Sequence, residues 1–470
     1  MSIYIYNSLT RKKEEFIPLE PPKVNIYTCG VTVYDESHIG HARSLYIFDV
    51  IRRYLEYRNF KVNFVRNITD IDDKIINRAK ELNIGWEELI KKYIDSYDED
   101  LRLLDIKKAD AEPRATENIP AMIKHIDKLI EKGYAYLTAN GVYFSVRKFK
   151  AYGKLSGQSI EQMLSGVRKE ADETKQDTLD FALWKKSKPD EPAWESPWGR
   201  GRPGWHIECS VMSAEYLKTD TLDIHAGGRD LIFPHHENEI AQSEALSSKP
   251  FAKYWIHHGL LTINGQKMAK SSGNFLTIKE VLSKHPADIL KIFYLQAHYS
   301  KPVDFSWEKM EEVKKAYERI DILMGKLDKI LSARPVNKPG LVGTGDILQF
   351  KDEFIECMDD DFNTPRALAI LFDLVNKCNV LLEGDDRDKN LKLNLAVDTI
   401  KEMTDVFGLS FFKKPSGMMP DSQIEWYVTV RAEYKKQKKF QEADAVRKKL
   451  KEEGVILEDT KDGTTWRRKI

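Results

Sequence analysis

Four short stretches of this 470-residue chain carry side chains whose types and spacing could do chemistry. An apolar, β-branched run, Lys23-Val24-Asn25-Ile26-Tyr27-Thr28, ends in Cys29 and Gly30, and nine residues after the cysteine the chain reaches His38-Ile39-Gly40-His41. Histidines flanking a glycine at a helix start are placed to meet phosphate, because the first N–H groups of a helix lack intrahelical partners and glycine lets a ligand approach the backbone. Gly227, Gly228 and Asp230 follow a second strand-like run, Asp223-Ile224-His225. Lys267 and Lys270 lie in a stretch flanked by Gly and Ser, where two cations could answer charge developing on a phosphoryl group, although lysines in a loop are ordinarily just solvated.

The fourth stretch suggests a metal. His235 and Glu239 are four apart, so on one helix face their side chains can converge on a point. Cys29 at a strand end and Cys209 at a following helix could add two thiolates, and two thiolates, an imidazole and a carboxylate suit zinc in softness and geometry. His236 and Glu237 would point about 100° and 200° away from His235 on a regular helix and are less suited to the same site. The plainer alternative is two buried thiols and a histidine at a helix N-terminus. Because no CxxC pair is present, any such site depends on a folded core that brings distant elements together.

The elements that must do this are legible in outline. A strand at 24–29, a helix near 40–58 and a strand at 61–66 read as the opening of a nucleotide-binding α/β fold. Between about 118 and 200 the pattern changes to a helix from Ile119 to Lys132 and short strands around Val142 and Leu179–Trp184, followed by a Pro-, Gly- and Trp-rich return to Gly204. The α/β pattern then resumes with a helix expected from Pro234 to Leu246 and a strand at 254–262. After Ser306 the spacing of Ile320, Leu323, Leu327, Ile330 and Leu331 is helical, and helices are expected at about 347–357 and 364–384. Residues 413–420 read as a linker.

Bulk properties set limits. Lys plus Arg and Asp plus Glu each total 74, so a nucleic-acid partner would have to be held by local basic faces. Hydrophobic content of 41% with 31% charged residues fits a globular chain without a signal peptide or membrane span, and the cytosol is the expected location. Four cysteines make no disulfide framework, and Cys357 and Cys378 read as ordinary core residues.

In order along the chain, CGVTVYDESHIGHARS from Cys29, VRNITDIDDKIINRA from Val65, GRPGWHIECSVM from Gly201, DIHAGGRDLIFPHHENEIAQSEA from Asp223, NGQKMAKSSGN from Asn264, DDFNTPRAL from Asp360 and the tail from Arg431 resemble the class I aminoacyl-tRNA synthetases, and among them the cysteinyl enzymes. The resemblance implies an α/β fold, with a Rossmann-like parallel-sheet catalytic domain carrying an insertion, then a helical bundle and a small C-terminal anticodon-binding domain. The boundaries implied are 1–117 and 201–275 for the two catalytic halves, 118–200 for the connective insertion, 276–412 for the stem-contact region and bundle, and 418–470 for the C-terminal domain. It further implies one zinc ion on Cys29, Cys209, His235 and Glu239, and ATP with Mg2+ held by His38, Gly40, His41, Gly227, Gly228, Asp230 and Lys270. Lys267 and Lys270 resemble the KMSKS loop and, with the two histidines, are the implied catalytic groups. Gly30, Thr69 and Trp205 are implied in the amino acid pocket.

The implied reaction joins L-cysteine to tRNA(Cys) through a cysteinyl-adenylate, in a protein expected to be a monomer. Zinc would favour the substrate thiolate over the neutral serine hydroxyl, a distinction that ordinary contacts make weakly. Three departures from the family pattern, Ala269, Ala226 and Val31, remove no charged or metal-binding group. Residues 426–470 carry 13 Lys and Arg against 8 Asp and Glu, and Arg431, Lys435, Lys438, Lys439, Trp466 and Arg467 are the candidate tRNA contacts. Two rivals remain: a cysteine ligase acting on an amino sugar, which has no need of this tail, and a catalytically silent RNA-binding paralogue, which would be expected to have lost the histidine motif or Lys270.

Overall fold

The structure is a computed structural model that describes residues 2–166, 174–268, 273–332, 344–411, 421–460 and 463–468. The nucleotide-type sheet has four parallel strands in the spatial order Ala252–His258, Leu222–Gly228, Lys23–Thr32, Lys61–Thr69. Such strands are buried on both faces, and Leu222–Gly228 is buried at all seven positions although it includes Asp223 and His225. Ile26 lies opposite Phe64 on one side and Ile224 on the other. From the Lys23–Thr32 strand the chain goes first to one neighbour, through helix Ile39–Tyr57, and later to the other. The reversal makes a switch point at the carboxyl ends of Lys23–Thr32 and Leu222–Gly228, the place where ligands bind in open α/β sheets.

An antiparallel sheet of Ala135–Thr138, Gly141–Phe144, Phe181–Lys186 and Gly201–Pro203 interrupts the fold between its halves. One apolar cluster runs through both sheets, from Tyr27 and Trp255 to Phe144, Leu183 and Ile207. The strand expected at 254–262 is broken in two. The break falls at Gly259, where the carbonyl of Lys301 would lie 2.2 Å from a β-carbon, and the second piece, Leu261–Ile263, pairs with Gln266–Lys267 and with Val303–Phe305.

Two compact units divide the chain, Met1–Leu282 with Phe293–Trp307 and Glu353–Leu368, and Ser283–Ile292 with Glu308–Asp352 and Ala369–Ile470. The second is helical, with Ile320, Leu323, Leu371, Leu374, Leu393 and Ile400 buried. It also holds helices Asp421–Lys436 and Phe440–Glu452 and a hairpin, Val455–Thr460 with Gly463–Arg468, closed over Ile424, Leu450, Val455 and Leu457. Residues 413–420, read as a linker, lie outside the described residues. Among the described residues no helix is long and apolar enough to cross a membrane.

Candidate active site and metal centre

Backbone irregularity aims Cys29. Pairing between Lys23–Thr32 and Lys61–Thr69 shifts register between Thr28 and Val31, a bulge that turns the side chain out of the strand's alternation. Gly30 makes the bulge possible, since a β-carbon there would fall 1.6 Å from the carbonyl oxygen of Asn67, and its N–H donates to Asn67 Oδ1 at 2.9 Å. Cys209 comes from helix Trp205–Leu217, His235 from the turn into helix Glu237–Ser247 and Glu239 from the first turn of that helix. One ligand atom from each of Cys29, Cys209, His235 and Glu239 lies within 4.8 Å of all the others. His235 Nε2 is 2.9 Å from Glu239 Oε1 and 3.5 Å from Cys209 Sγ, and Cys29 Sγ is 3.5 Å from Glu239 Oε1. The donors fit zinc, and their outer contacts orient them for it: His235 Nδ1 is 2.8 Å from His206 Nδ1, leaving Nε2 inward, and Glu239 Oε2 is 2.6 Å from His225 Nε2.

Among the described residues His236 does not join the group that holds His235, in keeping with the 100° step between them; the extended residue of this turn, Phe233 at φ −137°, ψ 132°, precedes both. His236 Nε2 is 3.3 Å from Cys29 Sγ, and Cys29, His225, His236 and Glu239 form a second group with metal-ligand spacing among the described residues. His236 Nδ1 in turn meets His257 Nε2 at 2.8 Å. Only Cys29 and Glu239 belong to both groups.

Electrostatics set this pocket apart. Burial works against ionisation of the thiols, yet the hydrogen bond from Cys29, with His235 nearby, brings Cys209 down to about 6, while burial and Cys209 push Cys29 up. Burial also opposes charge on His235 and Glu239, but each outweighs it for the other: the imidazole is pushed up to about 10 and the carboxyl is held well below its usual range, with His225 adding to the latter. Burial drives His206 and His236 well below the ordinary histidine value, and His257 down to about 3. Paired acids and bases with displaced values in a buried cleft mark a functional site.

At the start of helix Ile39–Tyr57, His38 is the N-cap, and its Nδ1 accepts from the N–H groups of Gly40 at 3.1 Å and His41 at 3.3 Å. The N–H of Ile39 donates to Leu276. The free backbone donors expected for phosphate are therefore occupied, and what the motif offers instead is its imidazoles. His41 Nδ1 accepts from the His38 N–H, so both rings carry their proton on Nε2. The rings stack at 3.8 Å, and burial lowers them to about 4 and about 3, so both are neutral near pH 7. Gly227 and Gly228 end a sheet strand; a β-carbon on the first would crowd His236 and on the second Asp230 Oδ1, at 2.4 Å.

Thr69 Oγ1 donates to Glu208 Oε2 at 2.7 Å and accepts from Asn67 Nδ2 at 3.2 Å, so this buried hydroxyl is already engaged. Trp205 is 37% exposed and stacks on His235 at 4.1 Å, which leaves one edge open to a substrate beside the metal donors. Lys267 is exposed at the end of its strand; Lys270 lies outside the described residues. His206, His225, His257, Asn67 and Glu208 join the site without having been singled out in the sequence, and His236 joins it after having been set aside. One signal pointed to them: polar residues inside runs that are otherwise fully buried, such as Asp223 and His225.

Known proteins bear on this geometry. Residues 15–315 match the class I (C) tRNA synthetase catalytic domain, and 353–412 match the DALR domain. The cysteine–tRNA ligase of Persephonella marina is 51% identical over 100% of both chains, and those of Aquifex aeolicus and Thermococcus gammatolerans are each 48% identical over 100% of this chain and 99% of their own. The chain belongs to the cysteine–tRNA ligases. Among solved structures, Mycobacterium tuberculosis methionyl-tRNA synthetase in complex with methionyl-adenylate aligns with a TM-score of 0.63 over 82% of this chain and 90% of that one, at 14% identity, a likeness of fold. As a cysteine–tRNA ligase the protein is an aminoacyl-tRNA synthetase, and the amino-sugar and silent-paralogue readings lose their support.

The ligase's candidate tRNA contacts fall into two kinds. Arg431 is 2% exposed and donates to both oxygens of Asp459, at 2.8 and 3.0 Å; it builds the small C-terminal core rather than offering a free cation. Lys435 also reaches Asp459, at 3.0 Å, from an exposed position. Lys438 and Lys439 are exposed at the turn into helix Phe440–Glu452. Trp466 lies opposite Leu457 and packs on the core of the hairpin, and Arg467 lies opposite Ile456.

Proposed function

We propose that this cysteine–tRNA ligase activates L-cysteine with MgATP as cysteinyl-adenylate and passes the acyl group to the terminal ribose of tRNA(Cys), with zinc at Cys29, Cys209, His235 and Glu239 distinguishing cysteine from serine. The observation that carries the reading is the convergence of these four donors at the switch point of the parallel sheet. Zinc bound there would lower the pKa of a coordinated thiol, so that cysteine is held as thiolate while a serine hydroxyl remains neutral and a poor ligand. Trp205 would close one side of the amino acid pocket, and Gly30 and Thr69, fixed through Asn67 and Glu208, would shape the other.

In-line attack of the cysteine carboxylate on the α-phosphorus needs no protein nucleophile. The chain's own contribution is positioning and electrostatics. His38 and His41, neutral and protonated on Nε2, donate hydrogen bonds to the phosphates; Gly227 and Gly228 let the nucleoside approach the strand end, with Asp230 accepting from the ribose. Lys267 and Lys270 meet the charge that accumulates on the departing pyrophosphate. Lys438, Lys439 and the face around Trp466 hold the tRNA, where stacking and phosphate neutralisation suit single-stranded bases.

Metal analysis tests the central assignment. Purified protein should hold close to one zinc per chain, and Cys209→Ser should lower it together with cysteine activation. Full activity of metal-free protein would overturn the proposal.

A further inference from the structure

Arg43 lies one turn into the helix that begins with the two histidines, and it is fully buried. Among the described residues no carboxylate answers its charge. Nη1 donates to the carbonyls of Gly259 at 2.6 Å and Leu260 at 2.9 Å, and Nη2 to those of Tyr299 at 3.3 Å and Lys301 at 2.5 Å, while Nε has no partner. Burial brings the guanidinium down to about 10, a displacement no anion relieves. A buried cation without a counter-charge is expensive to keep, and a core needing only packing would have an apolar residue in its place.

What the four carbonyls have in common is their position. Gly259 and Leu260 immediately precede strand Leu261–Ile263, and Tyr299 and Lys301 precede strand Val303–Phe305, its parallel partner. The two segments run so close together here that Gly259 has no room for a β-carbon beside the Lys301 carbonyl. Leu261–Ile263 turns directly into Gln266–Lys267. Met268 Cε comes within 3.6 Å of where a β-carbon on Gly40 would be, so the end of this hairpin rests against the histidine motif. Beyond the loop the chain returns to the same motif: Ile39 N–H donates to Leu276, Ile278 N–H to Ser37, and Lys279 Nζ is 3.0 Å from Glu36. Tyr294 adds a bond from its hydroxyl to the Ile39 carbonyl at 2.7 Å.

We propose that Arg43 is a positioning residue for amino acid activation, fixing the root of the hairpin that carries Lys267 at a set distance from His38 and His41. Both sides of the Lys267 hairpin are held by backbone pairing, which any sequence could supply; at its root Arg43 adds one guanidinium, whose planar fork collects four carbonyls from two segments. A displacement of about 1 Å at a group acting on transition-state charge costs on the order of 10²-fold in rate, so the clamp acts on turnover while leaving cysteine binding nearly untouched.

The inference rests on the reading of Lys267 as an activation residue, and a double-mutant cycle separates the two. Cysteine-dependent ATP–pyrophosphate exchange would be measured for full-length protein carrying Arg43→Met, Lys267→Ala or both, with zinc content and Tm recorded for each. Arg43→Met should lower kcat on the order of 10²-fold with KM for cysteine changed by no more than about threefold. In the Lys267→Ala background the same substitution should cost no more than about threefold, because residues that act as a unit are not additive. Equal factors in the two backgrounds would overturn the clamp while sparing Lys267; an unchanged kcat for Lys267→Ala alone would overturn both. If Arg43→Met does not accumulate as folded protein, Arg43→Lys, which keeps the charge but reaches fewer carbonyls, enters the same cycle with a smaller expected loss and the same criterion.

Discussion

The pocket around Glu239 and the small hairpin unit at the C-terminus use charge in opposite ways. In the pocket Cys209, His225, His235, His236 and Glu239 are buried, and neighbours displace the ionisation of its metal-binding candidates: Cys209 by Cys29 and His235, His235 by Glu239, Glu239 by His225 and His235. In the C-terminal unit a small apolar core forms around Ile424, Leu450, Val455 and Leu457, Arg431 is the one cation drawn into it among the described residues, and Lys435, Lys438 and Lys439 stay in solvent. Low dielectric makes the first arrangement sensitive to single atoms and nearly indifferent to salt; exposure makes the second tolerant of substitution and strongly dependent on salt. Chemistry that must tell sulfur from oxygen belongs in the first setting. Gripping a polyanion belongs in the second.

Removing the C-terminal unit is the harshest way to break this contrast. A chain ending near residue 417 should lose tRNA aminoacylation efficiency on the order of 10³-fold, since several phosphate contacts and stacked bases go at once. Its pyrophosphate exchange should stay within about twofold of the full chain, because domains with their own cores fold and act independently. Equal losses in both assays would mean that the units are not functionally separable.

Next in size, Lys270→Ala should slow activation on the order of 10²-fold with kcat and kcat/KM falling together, as expected for a group that acts only on transition-state charge. A raised KM for cysteine at constant kcat would contradict that role. Within the metal pocket, His235→Asn should weaken zinc retention far more than His236→Asn, for which a loss of about 10-fold is expected if it only supports the site from outside. The reverse ranking would move the metal to the group made by Cys29, His225, His236 and Glu239.

Smaller effects sharpen the same comparison. His38 and His41 titrate near 4 and 3 because burial disfavours their charged forms, so protonation sets in only as pH falls through those values; activation should show no inflection from them between about pH 6 and 8. In the C-terminal unit Lys439→Ala should weaken tRNA binding about threefold and reduce its salt slope by about one, with Tm unchanged. Arg431→Met should do the opposite, lowering the stability of the hairpin by stranding Asp459, whose carboxyl the guanidinium, with Thr464 and Lys435, holds far below its usual range.

Much of this was legible in the sequence because parallel strands buried on both faces announce themselves as apolar runs, and because Cys29, Cys209, His235 and Glu239 are chemically conspicuous in such surroundings. What escaped is what depends on irregular backbone. The helix expected from Pro234 begins at Glu237, after a turn in which Phe233 is extended, and His236 meets Cys29 across 207 residues of sequence. The stretch expected as one strand at 254–262 is split at Gly259, where a segment more than forty residues away packs on the backbone, a contact no local pattern records. Arg431 read as one more cation on a basic face because its partner, Asp459, is reached only through the hairpin. The capping of Gly40 and His41 by His38 was likewise hidden, since the same His-x-Gly-His spacing would suit an open phosphate site.

The central claim, that the buried donor cluster selects the amino acid by its sulfur, is tested most directly by amino-acid-dependent ATP–pyrophosphate exchange, run with cysteine and with serine on zinc-loaded and metal-depleted protein. Exchange should be supported by cysteine at least about 10⁴-fold better than by serine when zinc is present, the scale reached when a site is built around one polar group of its substrate, and metal removal should abolish the cysteine reaction. Serine within about tenfold of cysteine on the zinc-loaded protein, or undiminished discrimination after zinc is removed, would contradict it.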